Sequence, residues 1–226
     1  MILVMWNAIP DDGDIATRIA QRSLERRGAD YAGEVRRILD AALDVMRTCG
    51  TASRPRVADI VAAAGVSNDA VYRHFPSKDA LVAAILEDGT DRLCSYLAHQ
   101  MTKEATPEGK VRRWVEGVLS QAADEDIAAT TRAVLWNGAS VGEGLPSGRP
   151  SASRPLAALL CGPFDALGSA RPELDASLVA HAVVGQLSDC LWDRARPSRA
   201  EIAHVTDACL AMVTARHRTV RQARRP

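Results

Sequence analysis

Several things are scarce in this 226-residue chain, and each scarcity excludes a class of protein. Cysteine occurs five times, at Cys49, Cys94, Cys161, Cys190 and Cys209, with no C-x-x-C pair. An odd, scattered set reads as reduced thiols in a cytosolic protein, packed as small hydrophobes in preference to a metal or catalytic role, and a disulfide scaffold is excluded. Aromatic residues make up only 4%. Lysine is confined to Lys78, Lys103 and Lys110, leaving arginine to carry nearly all the positive charge. No run approaches the roughly 18–20 apolar residues that span a bilayer, which predicts no membrane partner. The apolar start, Met1 to Trp6, is too short for a secretory h-region. Net charge is also missing, since Lys+Arg 28 cancels Asp+Glu 28.

That zero hides an uneven distribution. From Arg18 to Lys78 there are eleven basic and seven acidic residues, a local charge of +4. The segment from Met212 onward holds five arginines and no acid. Local sign, rather than the total, governs electrostatic steering, so neutrality does not exclude a polyanionic partner.

What the chain has in abundance is helical periodicity. Val35, Ile38, Leu39, Ala42, Val45, Met46 and Cys49 follow the i, i+3, i+4, i+7 spacing of one helix face, and Gly50 ends the run. Short helices are predicted over 55–64 and from Ser67 to Phe75, and a longer one from Ser77 through Leu97. Thr106-Pro107 opens another, with Pro at a tolerated first-turn position. Further helices are expected over 126–137, 156–167, 174–195 and 201–216, with a Gly/Ser/Pro-rich surface loop over 138–155. Sustained period-two alternation and internal repeats are absent, and the fold class is all-α.

The informative stretch runs from Arg56 to Tyr72: a short helix, a turn centred on Gly65, and a second short helix. This is a helix-turn-helix pattern. Gly65 supplies the left-handed conformation that ends the first helix. Ala62 and Ala63 are read as small residues that let the two helices approach closely, with Val66 plugging the space between them. Ser67 is placed to cap the second helix, and Asp69 complements its dipole. The outward face then carries Asn68, Asp69, Tyr72 and Arg73, of which Asn suits adenine, Arg guanine and Asp cytosine N4. Tyr72, His74 and Lys78 suit phosphates, as do the N–H groups opening the helix at Ser77. A Gly turn between two Ala-rich helices also occurs in ordinary helical hairpins.

The continuation Val71-Tyr72-Arg73-His74-Phe75-Pro76-Ser77-Lys78-Asp79-Ala80-Leu81 adds specificity. Here the sequence resembles the TetR family of bacterial regulators, through the Tyr-x-His-Phe pattern, the Pro-Ser turn and the following Lys and Leu. Ile60 and the run Ala64 to Ser67 sit at the family's spacing, and the match covers about residues 33–86. The resemblance implies a three-helix DNA-binding domain over 33–80, preceded by an extension over 1–32. A helical ligand-binding and dimerisation domain follows over 81–226. Two departures stand out. Arg56 replaces the usual Ser or Thr opening the second helix, where it becomes a candidate phosphate clamp and Ser53 an alternative cap. Asp69 stands where a small residue is usual.

In the extension, Arg18, Arg22 and Arg26 recur at i+4, which fits either a solvated helix or a basic arm reaching DNA. The tail arginines are assigned no site. The resemblance also implies a homodimer and a small-molecule pocket. Leu178, Val184, Leu187 and Leu191, then Ile202, Val205, Cys209, Met212 and Val213, form candidate dimer faces with Gly185 and Ser188 for close packing. The alternative is burial of these faces inside one subunit. Trp114, Trp136, Phe164, His181 and Trp192 are candidate pocket residues, against the plainer reading of each as core. No nucleophile elbow, phosphate-cradling glycine loop or H-E-x-x-H spacing is found, and the run Asp124 to Asp126 reads as a helix start. An enzyme, a cofactor and a metal are therefore not expected. The sequence-based reading is a cytoplasmic regulator, a repressor released from double-stranded operator DNA by a small molecule.

Overall fold

The computed structural model describes residues 15–138 and 151–223. Among the described residues there are nine α-helices and no strand: α1 (Ile15–Cys49), α2 (Val57–Ala64), α3 (Asn68–His74), α4 (Lys78–Met101), α5 (Pro107–Leu119), α6 (Glu125–Gly138), α7 (Ser153–Ala166), α8 (Pro172–Trp192) and α9 (Arg199–Ala223). A 3-10 turn at Ser120–Ala122 joins α5 to α6. Most of the loop expected over 138–155 lies outside the described residues. So do the side chains of Arg18, Arg22 and Arg26 and the tail arginines.

Local chemistry sets the helix boundaries. Gly50 (φ 56°) and Gly65 (φ 64°) take the left-handed conformation directly after α1 and α2. An added Cβ disfavours that conformation, so the chain turns at both points. The Ser67, Ser77 and Thr106 side chains cap α3, α4 and α5, each accepting from the backbone N–H three residues on. Each such cap stabilises its helix by about 1 kcal/mol.

The N-terminal half differs from expectation in one respect. The stretch before residue 33 and the helix over 33–49 are a single helix of 35 residues, about 52 Å long at 1.5 Å per residue. Gly28 and Gly33 each cost roughly 1 kcal/mol against Ala, and the helix runs through both.

Two hydrophobic cores divide the molecule. The smaller gathers Ile38, Ala42 and Met46 of α1, Ile60 of α2, Val71 and Phe75 at α3, and Leu81, Val82 and Ile85 of α4. The larger gathers Leu97, Trp114, Val118, Leu160, Phe164, Val183, Leu187 and Leu191 from α4, α5, α7 and α8, with Cys209 and Val213 of α9. Helix α4 contributes to both. So does α6, whose Val134 packs on the smaller core and whose Leu135 packs on the larger.

Two expectations about packing are corrected here. Ala62 and Ala63 are exposed, whereas Val61 and Ala64 pack inward. With Ile60 at the centre of the α2 core face, helical periodicity turns 62 and 63 outward. Of the residues assigned to a dimer face, Leu187, Leu191, Cys209 and Val213 are buried inside the subunit. They lie on the side of α8 and α9 that covers α5 and α7, so the larger core uses them. Leu178 remains 45% exposed.

Candidate nucleic-acid interface

The recognition face is built by three capped turns in sequence. Gly65 ends α2, Ser67 starts α3 with Oγ 3.1 Å from the Ala70 N–H, and Ser77 starts α4 with Oγ 3.0 Å from the Ala80 N–H. Ala70 and Val71 are buried, which fixes the rotation of α3 about its axis. That rotation leaves Ser67, Asn68, Asp69, Tyr72 and Arg73 exposed together. Tyr72, at 46% exposure, is a large half-apolar ring standing in solvent without a core to fill. Lys78 opens α4 and is half-buried. The face thus combines base-reading side chains on one short helix with phenolic and cationic groups beside it, the arrangement that sorts into specific and positioning contacts.

His74 departs from the sequence-based expectation. Expected among the phosphate contacts, its side chain is 1% exposed and its Nε2 lies 2.6 Å from Glu34 Oε1. Tyr31 meets the imidazole edge-on at 4.3 Å between ring centres. Its Nδ1 is buried without a hydrogen-bond partner. The physical reason is position: residue 74 follows Val71 by three and turns to the same inner side. His74 therefore ties the end of α3 to α1 rather than reaching outward. The hydrogen bond from His74, with the nearby Arg73 charge at 3.7 Å, holds Glu34 below the usual carboxylate range. The sequence held no signal for Glu34 or Tyr31, because a contact forty residues away in the chain leaves no local pattern.

Arg56 is also engaged. It stands at the N-cap of α2 without a side-chain cap bond. Its guanidinium grips Asp59 with Nε 3.0 Å and Nη2 3.2 Å from the two carboxylate oxygens. That bidentate bond raises the Arg56 pKa further and recruits Asp59, rather than Ser53, to the start of the helix. The Arg56 side chain stays 80% exposed, so a phosphate can still meet its open edge.

The candidate pocket residues are distributed differently. Trp114 and Phe164 are fully buried together in the larger core, and Trp114 Nε1 donates to the Leu156 carbonyl at 3.1 Å. Trp136 is half-buried at the end of α6, with the Arg54 guanidinium 5.8 Å from its ring centre. His181 is exposed on α8, with Nδ1 2.7 Å from the Ser177 carbonyl, and Trp192 is exposed at the end of that helix. Trp114 and Phe164 are thus brought together, while His181 and Trp192 lie on the outer side. Among the described residues no group of three His, Cys, Asp or Glu could hold a metal ion.

Residues 38–85 match the family model described as bacterial regulatory proteins, tetR family. Those are the residues of the smaller core, the turn and the recognition face. Solved structures agree over most of the chain. A tetR-family transcriptional regulator from Mesorhizobium loti MAFF303099 is 20% identical, with TM-score 0.59 over 82% of this chain and 96% of that one. A transcriptional regulator from Pseudomonas aeruginosa PAO1 is 20% identical, with TM-score 0.62 over 80% and 90%. The regulator FadR from Bacillus subtilis, solved in complex with stearoyl-CoA, is 16% identical, with TM-score 0.50 over 79% and 96%. At these identities the likeness is one of fold. No curated protein matches the sequence.

Proposed function

We propose that this chain, whose residues 38–85 match the TetR family of bacterial regulatory proteins, is a homodimeric repressor that binds a specific DNA operator and leaves it when a small molecule binds. The observation that carries this reading is the recognition face itself. A Ser-capped helix rests on a buried Ala70–Val71 edge and displays Asn68, Asp69, Tyr72 and Arg73 to solvent. Two copies would place α3 in successive major grooves of a near-palindromic site. Asn68, Asp69 and Arg73 read base edges. Tyr72, Lys78, Arg56 and the N–H groups at Ser77 hold phosphates. With the reader's basic excess offset elsewhere in the chain, affinity rests on groove contacts more than on bulk charge.

The dimer face proposed is the outer side of α8. Leu174, Leu178, Gly185 and Trp192 share that side, and the three large residues are each close to half exposed. A Cβ added at Gly185 would meet no atom within 4 Å. An open glycine in mid-helix costs about 1 kcal/mol, a cost that close approach of a second subunit offsets. The effector site proposed is the larger core around Trp114 and Phe164, a reading supported by the stearoyl-CoA complex of the similarly folded FadR. The proposed role is non-enzymatic and the proposed location cytoplasmic. Selection of duplexes from a random library, followed by a gel shift at two salt concentrations, tests the reading; failure to enrich any sequence contradicts it.

A further inference from the structure

Helix α6 packs against α1, α4 and α8. One turn apart on this helix, Arg132 and Trp136 contact different elements. Arg132 is only 11% exposed, and its Nη1 donates to the Leu191 carbonyl at the end of α8 at 3.2 Å. That carbonyl sits at the negative end of the α8 dipole, where a cation is favoured. Between the two, Val134 enters the smaller core and Leu135 the larger. Trp136 then carries the Arg54 guanidinium over its ring at 5.8 Å. Arg54 belongs to the segment joining α1 to α2, so this contact passes from the body directly to the reader.

The segment itself has little slack. Pro55 follows Arg54, is buried, and has its φ fixed by its ring. A residue before proline is confined to extended conformations. Arg56, next in the chain, is the N-cap of α2 and is locked to Asp59 by two hydrogen bonds. A shift of Arg54 is therefore handed on to the start of α2 rather than absorbed.

Resting on the DNA-binding reading above, we infer that Trp136 is a positioning residue: through Arg54 and Pro55 it sets where the N-terminus of α2 meets the phosphate strand, and so links the α8 end of the body to the reader by way of α6. Arg54 serves the same link from the reader's side. The relevant energy is that of one partly exposed cation–π contact, which corresponds to about a two- to fivefold change in affinity.

The experiment measures binding of the full-length chain to a duplex enriched by the wild-type protein from a random library. W136L and R54Q are each expected to weaken binding by about two- to fivefold, and the double variant by no more than either alone. W136F, which keeps an aromatic face, and R54K, which keeps the cation, are expected to lose less than their partners. Additive losses in the double variant overturn the proposal, because the two residues then act separately. So does a loss with R54Q and none with W136L, which makes Arg54 a direct phosphate contact. Arg54 lies exposed in a connecting segment, so its variants fold whatever becomes of W136L, and full affinity in R54Q alone overturns the link. A wild-type protein that binds no duplex removes the premise and the inference together. Wild-type binding with unchanged variants removes the inference only.

Discussion

At the scale of single residues, the reader depends on a few side chains whose work is not interchangeable. Tyr72 and Lys78 are proposed to hold phosphates, so Y72A and K78A should weaken binding to every duplex alike. Each should also lower the slope of log affinity against log salt by up to about one, as read in titrations at several salt concentrations. Asn68 and Arg73 are proposed to read bases. N68A or R73A should instead relax the sequence preference at one position, at a cost of about 1–3 kcal/mol, in the same duplex selection. Glu34 makes a pH prediction. Its pKa is lowered in the folded state, chiefly by the His74 hydrogen bond. A lowered acid pKa contributes stability above the unfolded value, and that stability is lost as pH falls through the folded value. The difference in Tm between wild type and E34Q should therefore be present at neutral pH. It should shrink as the pH is lowered through and below the ordinary carboxylate range. A difference that stays constant down to about pH 3 would remove the Glu34–His74 bond from the account.

At the scale of elements, the turn between α2 and α3 bears the most. Gly65 has φ 64°, so G65V should destabilise the protein by at least about 1 kcal/mol, measured by denaturant unfolding, and weaken DNA binding with it. The sequence made this element legible because its signals are local: a glycine after an apolar run, a serine before the next, and a proline-serine turn. It also placed the starts of α2 to α6 to within two residues, for the same reason. What it missed was non-local. The outward turn of Ala62 and Ala63 follows from which face Ile60 takes, and that depends on α1 and α4. The inward turn of His74 depends on Glu34 and Tyr31, forty residues earlier. The apolar stripes of α8 and α9 were visible, but a stripe alone does not say whether its partner is the same subunit or another. For Leu187, Leu191, Cys209 and Val213 the partner is the same subunit. Burial there also pushes the Cys209 thiol up to about 11, in keeping with an inert packing role for that cysteine.

At the scale of the whole molecule, reader and body are joined through α4 and α6, and the proposed dimer pairs two copies about the outer side of α8. L178E should abolish the dimer, read as a halved mass by light scattering. It should weaken operator binding far more than nonspecific binding, because two half-sites would no longer be held at a fixed spacing. The charge balance points the same way. With the reader's local excess of +4 offset elsewhere in the chain, bulk attraction supplies less of the binding and groove fit supplies more.

The measurement that tests this most directly is the ratio of affinities for a selected near-palindromic duplex and a scrambled duplex of equal length at physiological salt. The expected ratio is about a thousandfold or more, which N68A and R73A reduce and Y72A leaves largely intact. Equal affinity for the two duplexes would contradict it.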